Sequence, residues 1–251
     1  MFVYRGGEQV VPRDVTHVRI HRSVKIIPRA AFYNRMNLVS VETHDEIEKV
    51  EESAFRGCHS LRGIKLPGVR EVGQQAFHSC TSLTDVEFGD KLETIGAIAF
   101  YNCLSLRNIK MPTVKTIEAE AFGDCTQLTD VELPDVERIG SNVFNGCPRL
   151  RRIALPLKDN MFTLHTFHQR YTQFDNCENL TTADLAGVGG IHKTISSLLL
   201  ERWRDEMNEE IDRINQDLPN TPADERRQQY TIGSGQSSIE WSTTKLNTTD
   251  Y

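Results

Sequence analysis

The sequence predicts an α/β solenoid in which units of 22 or 23 residues stack, each laying a short strand into a parallel sheet along one side. Three observations predict it. Phe32, Phe55, Phe77, Phe100, Phe122 and Phe144 are separated by 23, 22, 23, 22 and 22 residues. Each of the last five is followed three residues on by Cys58, Cys80, Cys103, Cys125 or Cys147, and six residues on by Leu61, Leu83, Leu106, Leu128 or Leu150. Each of these units then closes on an apolar-x-apolar triplet: Ile64-Lys65-Leu66, Val86-Glu87-Phe88, Ile109-Lys110-Met111, Val131-Glu132-Leu133 and Ile153-Ala154-Leu155.

Alternation within the triplet predicts a strand with its middle side chain outward, and the A-F-x-x-C-x-x-L spacing predicts a tight helical turn before it. One unit cannot bury both by itself, so copies must stack, each strand about 4.8 Å from the next. The distance from Phe to strand is constant, which places the extra residue of the longer units in the turn that follows, at His44-Asp45-Glu46 and Gly89-Asp90-Lys91. Residues 1–22 are read as an amino-terminal cap and 23–187 as the solenoid, with an insertion at 157–173 before a seventh, degenerate unit around Phe174, Cys177 and Leu180. Ile195, Leu198, Leu199, Trp203, Met207, Ile211, Ile214 and Leu218 recur at three and four residues, predicting a capping helix within 188–218. Pro219 ends it, and 219–251 are read as a short helix and a flexible tail rich in Gly, Ser and Thr.

The full unit, I-G-x-x-A-F-x-x-C-x-x-L-x-x-I-x-L-P, resembles the BspA-like leucine-rich-repeat family over about residues 15 to 187. The resemblance implies a leucine-rich-repeat solenoid and a protein-binding or adhesive module without catalytic residues. Two positions depart from the pattern. Arg35 stands where the first unit should have Cys, consistent with a cap, and the seventh unit follows its predecessor by 30 residues.

Charge narrows the partner. The chain carries 29 basic and 35 acidic residues, a net −6, so the footprint of a duplex-binding protein is missing. The outward strand residues form a column of alternating sign, Arg19, Glu42, Lys65, Glu87, Lys110 and Glu132, and a second column, Lys25, Glu48, Arg70, Glu93, Lys115 and Glu137, alternates too. Such columns are read as self-neutralising pairs that hold register, and as a poor track for phosphates. The alternation stops at Ala154, beside Arg149, Arg151 and Arg152 and just before the insertion that carries His165, Phe167, His168, Arg170 and Tyr171. Arginine beside aromatic residues in a surface insertion is the composition of a binding hot spot, so these eight residues are the candidate protein-binding patch.

Chemistry is not expected. The cysteines share one repeat position and their spacing matches no zinc motif, so together with the six phenylalanines they are read as a structural core ladder of free thiols, with no metal. Gly187-Val188-Gly189-Gly190-Ile191-His192-Lys193-Thr194 imitates a phosphate loop, but His192 occupies the place before Lys193 where glycine is needed. No cofactor and no nucleophile-base pair is expected, nor any membrane span. An amino terminus without an apolar leader, with six cysteines, predicts the cytoplasm or nucleus. The function expected is a non-catalytic protein-protein interaction scaffold, the alternatives being a homo-oligomer assembled through 195–218 or a surface adhesive module exported without a recognisable leader.

Overall fold

The computed structural model describes residues 1–7, 9–156, 174, 176–186, 191–196 and 242–245. The strands, in chain order, are β1 (Phe2–Tyr4), β2 (His17–Ile20), β3 (Ile26–Ile27), β4 (Ser40–Glu42), β5 (Lys49–Val50), β6 (Gly63–Leu66), β7 (Glu71–Val72) and β8 (Asp85–Phe88). They continue as β9 (Thr94–Ile95), β10 (Asn108–Lys110), β11 (Thr116–Ile117), β12 (Asp130–Glu132), β13 (Arg138–Ile139), β14 (Arg152–Pro156), β15 (Thr182–Ala186), β16 (Ile191–Ser196) and β17 (Ser242–Lys245).

Stacking follows the repeat. A large sheet runs β1-β2-β4-β6-β8-β10-β12-β14-β15-β16-β17, parallel as far as β15 and antiparallel beyond it. The expectation of one sheet is corrected by a second, β13-β11-β9-β7-β5-β3, built from two-residue strands that the triplet pattern does not mark. Ile64 pairs in register with Val86, Val86 with Ile109, and Ile109 with Val131, so every unit aligns whether it has 22 or 23 residues. The extra residue does fall between the two strands of a unit: Val41 to Val50 and Val86 to Ile95 span nine positions, Ile64 to Val72 and Ile109 to Ile117 eight.

No helix is present among the described residues, which corrects the helical turn and the α/β class. The cause is competition for backbone N–H groups. Ala54, Arg56 and Cys58 donate locally to the carbonyls of Glu51, Ser53 and Phe55, but Ser53, Phe55 and Gly57 donate across to Gln74, Ala76 and His78 of the next rung. Every second N–H is therefore removed from any helical ladder, and left-handed residues before and after Phe55, Ser53 (φ 55°) and Gly57 (φ 73°), turn the chain to make this possible. The result is a third line of inter-rung hydrogen bonds along the turns, alongside the two sheets.

The core is the column of phenylalanines the period foretells. Phe32 through Phe144 stack with ring centroids 4.9–5.7 Å apart and planes within 6° of parallel. Tyr4 closes the column edge-on at 5.1 Å from Phe32, and Phe174 extends it 5.6 Å beyond Phe144, so the seventh unit keeps its core position despite the insertion. Arg35, standing where the later units have Cys, donates to the carbonyls of Val11 at 2.9 Å and Tyr33 at 2.8 Å.

At the other end, residues 191–196 form a strand antiparallel to β15, which corrects the expected helix at Ile195 and Ser196. Ile191, Thr194 and Ile195 are β-branched, and pairing against β15 uses the strand preference that their spacing to Leu198 conceals. The remainder of the expected capping helix, 197–218, lies outside the described residues, as does the insertion at 157–173.

Candidate protein-binding surface

Since Ile64 and Leu66 point into the core, Lys65 between them must point out, and the same holds rung after rung. The charge columns resolve into separate pairs rather than continuous ladders. Arg19 meets Glu42 at 2.6 Å and Lys65 meets Glu87 at 2.7 Å in the first column; Arg70 meets Glu93 at 2.9 Å and Lys115 meets Glu137 at 3.2 Å in the second. Two further pairs lie outside both columns, Arg29 with Glu52 at 3.0 Å and Lys49 with Glu71 at 2.9 Å. Such exposed pairs contribute at most about 1 kcal/mol each.

Alternation does not end at Ala154. Ala154 lies in register with Glu132 and Asp184 and is too short to meet either, but Arg152, two residues earlier on the same side of β14, reaches both. Its guanidinium donates from Nη1 to Glu132 Oε1 at 2.8 Å and from Nε to Asp184. Arg152 therefore ties the seventh unit to the fifth. Arg149 and Arg151, on either side of buried Leu150, are exposed; Arg149 donates to Gln127 Oε1 at 2.5 Å. Of the other residues of the candidate patch, His165, Phe167, His168, Arg170 and Tyr171 lie outside the described residues.

A second surface feature escaped the sequence reading. The residue after each core Phe forms a ridge, in which the Arg56 guanidinium lies 5.9 Å from the Tyr33 ring centroid and His78 stacks on Tyr101 at 5.7 Å. Burial, and after it the charge of Arg56, lower the pKa of His78. The Tyr101 hydroxyl is hydrogen-bonded to Asp124, which with burial pushes its pKa up to about 12. Its ring covers Gly123, where a Cβ would lie 2.7 Å from ring carbons. Aligning the units on Phe reveals Tyr33, Arg56, His78 and Tyr101 as one column, in which Arg56 lies over Tyr33 and His78 on Tyr101 while Tyr33 stays exposed.

The cysteines lie in a row inside the solenoid. The thiol of Cys58 donates to the carbonyl of Phe32 at 3.1 Å, and Cys80, Cys103, Cys125 and Cys147 repeat this to Phe55, Phe77, Phe100 and Phe122 at 3.2 Å. Cys177 does the same to Phe144 at 3.1 Å. All six are buried. Burial pushes the thiol of Cys58 up to about 12 and those of Cys80, Cys103, Cys125 and Cys147 well above their ordinary value, so these are not thiolate nucleophiles. Among the described residues no group of three or more His, Cys, Asp and Glu side chains is placed to hold a metal ion, and no helix is long and apolar enough to cross a membrane.

No curated protein matches the chain. Among solved structures it is similar to a leucine-rich-repeat protein of T. pallidum, at 30% identity and a TM-score of 0.49 over 66% of this chain and 68% of that one. It is also similar to a leucine-rich-repeat protein of Bacteroides ovatus, at 24% identity and a TM-score of 0.43, covering 70% of this chain but only 56% of that one. The family model for the BspA type leucine rich repeat region matches residues 13–113 and 93–194, which together span most of the chain. With a repeat core, an inter-rung hydrogen-bond network and a family model all following one period, the chain belongs to the BspA-type leucine-rich-repeat family.

Proposed function

We propose that the chain is a non-catalytic scaffold that binds another protein through the outside of its solenoid. One observation carries the reading: the core residues of every rung are committed to stacking, while the side chains between them are held outward at fixed spacing on three hydrogen-bonded sides. Such a surface is extended, rigid and modular, which suits recognition of another chain. Arg149 and Arg151 are the exposed members of the candidate patch within the described residues, and Arg is among the residue types enriched at interface hot spots.

The test is quantitative affinity capture from lysate of the source cell, comparing wild type with an Arg149→Glu/Arg151→Glu variant of unchanged melting temperature. Arg152 is left intact, because removing it would break its pairs with Glu132 and Asp184. Proteins retained by wild type and lost from the variant are the expected result. Capture of nothing by either protein would sink the scaffold reading, and an identical captured set would move the binding surface away from these two arginines.

A further inference from the structure

The column one residue after each core Leu alternates between two residue types: Arg62, Thr84, Arg107, Thr129, Arg151 and Thr181. Its backbone is fixed. Thr84 N donates to Arg62 O, Arg107 N to Thr84 O, Thr129 N to Arg107 O, Arg151 N to Thr129 O and Thr181 N to Arg151 O. The three arginines therefore stand on every second rung, about 9.6 Å apart, along a line of about 19 Å. All three are exposed, and none forms an ion pair among the described residues, whereas four bases of the charge columns, Arg19, Lys65, Arg70 and Lys115, do.

Their surroundings set the direction of approach. On the sheet side the next residues are Gly63, Asp85, Asn108, Asp130 and Arg152, so the acids fall on the threonine rungs, where Asp85 already accepts from Thr84 Oγ1 at 2.7 Å. On the turn side, across the buried leucines, the column is Ser60, Ser82, Ser105, Gln127, Arg149 and Asn179, with no acid in it. A lane is left that offers positive charge on alternate rungs and, between them, threonines flanked on the sheet side by Asp85 and Asp130 and on the turn side by neutral donors and acceptors.

We propose that this lane binds an extended acidic peptide of the partner protein, with carboxylates three residues apart lying on Arg62, Arg107 and Arg151. The inference rests on the scaffold reading and names the chemistry of its partner. The spacing is the argument. A polyproline II segment advances about 9.3 Å in three residues, close to two rungs, and presents every third side chain on one face, whereas a β-strand of similar advance would turn alternate carboxylates to opposite faces. Carboxylates suit the guanidinium forks, each of which can donate two parallel N–H bonds to one. A nucleic-acid strand fits less well, since it carries charge on every residue and would meet Asp85 and Asp130 on the intermediate rungs.

Fluorescence anisotropy with the full chain tests it, using a labelled peptide of three Glu-Pro-Pro repeats, a peptide of the same composition with its three Glu consecutive, and oligothymidylate as probes. The spaced peptide is expected to bind about tenfold more tightly than the clustered one, and Arg107→Glu is expected to weaken it by a further factor of about ten at unchanged melting temperature. Arg138→Glu, on the exposed side of the small sheet, should leave it unchanged. Equal binding of spaced and clustered peptides, binding of oligothymidylate as tight as the spaced peptide, indifference to Arg107→Glu, or no binding at all would each overturn the lane. Failure here with partner capture by the wild type intact would remove the acidic-peptide lane and leave the scaffold reading standing.

Discussion

Left-handed backbone is the residue-scale price of this fold, and each turn contains it twice. The pairs are Ala30 and Asn34, Ser53 and Gly57, Gln75 and Ser79, Ile98 and Asn102, Glu120 and Asp124, Asn142 and Gly146, all with φ between 53° and 73°. The second member is always Asn, Gly, Ser or Asp, small or polar types that fit a tight turn, three of which enter this region comparatively readily. At Gly146 the requirement is double, since a Cβ would also lie 2.2 Å from Asp124 Oδ1. The first member varies more widely in type, although its N–H, like that of the second, is tied to the next rung, as Ile98 N is to Ala119 O at 2.9 Å and Asn102 N to Gly123 O at 2.8 Å. Ile98 is the outlier, a β-branched side chain at φ 59°. Left-handed geometry costs an ordinary residue about 1–2 kcal/mol, part of which Asn avoids. Ile98→Asn is therefore expected to stabilise the chain by about 0.5–1 kcal/mol, read as a higher urea midpoint. A lower midpoint would show that the half-buried side chain outweighs the strain.

Among the elements, the turn segments explain why an apolar spacing suited to a helix yields none. Local hydrogen bonds use half the N–H groups and the neighbouring rung uses the rest, so the segment has no independent helical alternative once stacked. The strands place charge opposite charge, and their ion pairs are expected to act on register more than on total stability. Glu87→Lys sets lysines at 65, 87 and 110 side by side in register. The expected loss is about 0.2–1 kcal/mol for each adjoining like pair, shrinking as salt is raised. Urea midpoints at low and high ionic strength measure it; a loss independent of salt would mean that something other than charge repulsion is at work.

For the whole molecule, stacking makes stability a property of neighbours. Each rung contacts the one before and the one after, so opening should begin at the ends and spread inward. The thiol ladder reports this directly, with one buried, unreactive cysteine on each of six successive rungs from Cys58 to Cys177. In mild denaturant, mass-resolved thiol labelling is expected to modify Cys58 and Cys177 first and Cys103 last. Simultaneous labelling of all six would establish instead that the solenoid opens as one cooperative unit.

The sequence by itself determined the rung length, the Phe and Cys columns, the outward direction of the alternating charges and the position of the extra residue. Each of these is a one-dimensional pattern that burial imposes on every copy alike. The tertiary structure alone decided the second sheet, the turns in place of helices, and the reach of Arg152 to Glu132 and Asp184. The reason is common to all three. They depend on which neighbour, 20 or more residues away in the chain, a given N–H or guanidinium meets. Strands of two residues carry too little alternation to announce themselves, and a diagonal ion pair breaks the column on which a sequence alignment relies. Surfaces such as the arginine lane lie between these limits: their columns are visible in the repeat, but their spacing becomes a physical fact only once the rungs are stacked.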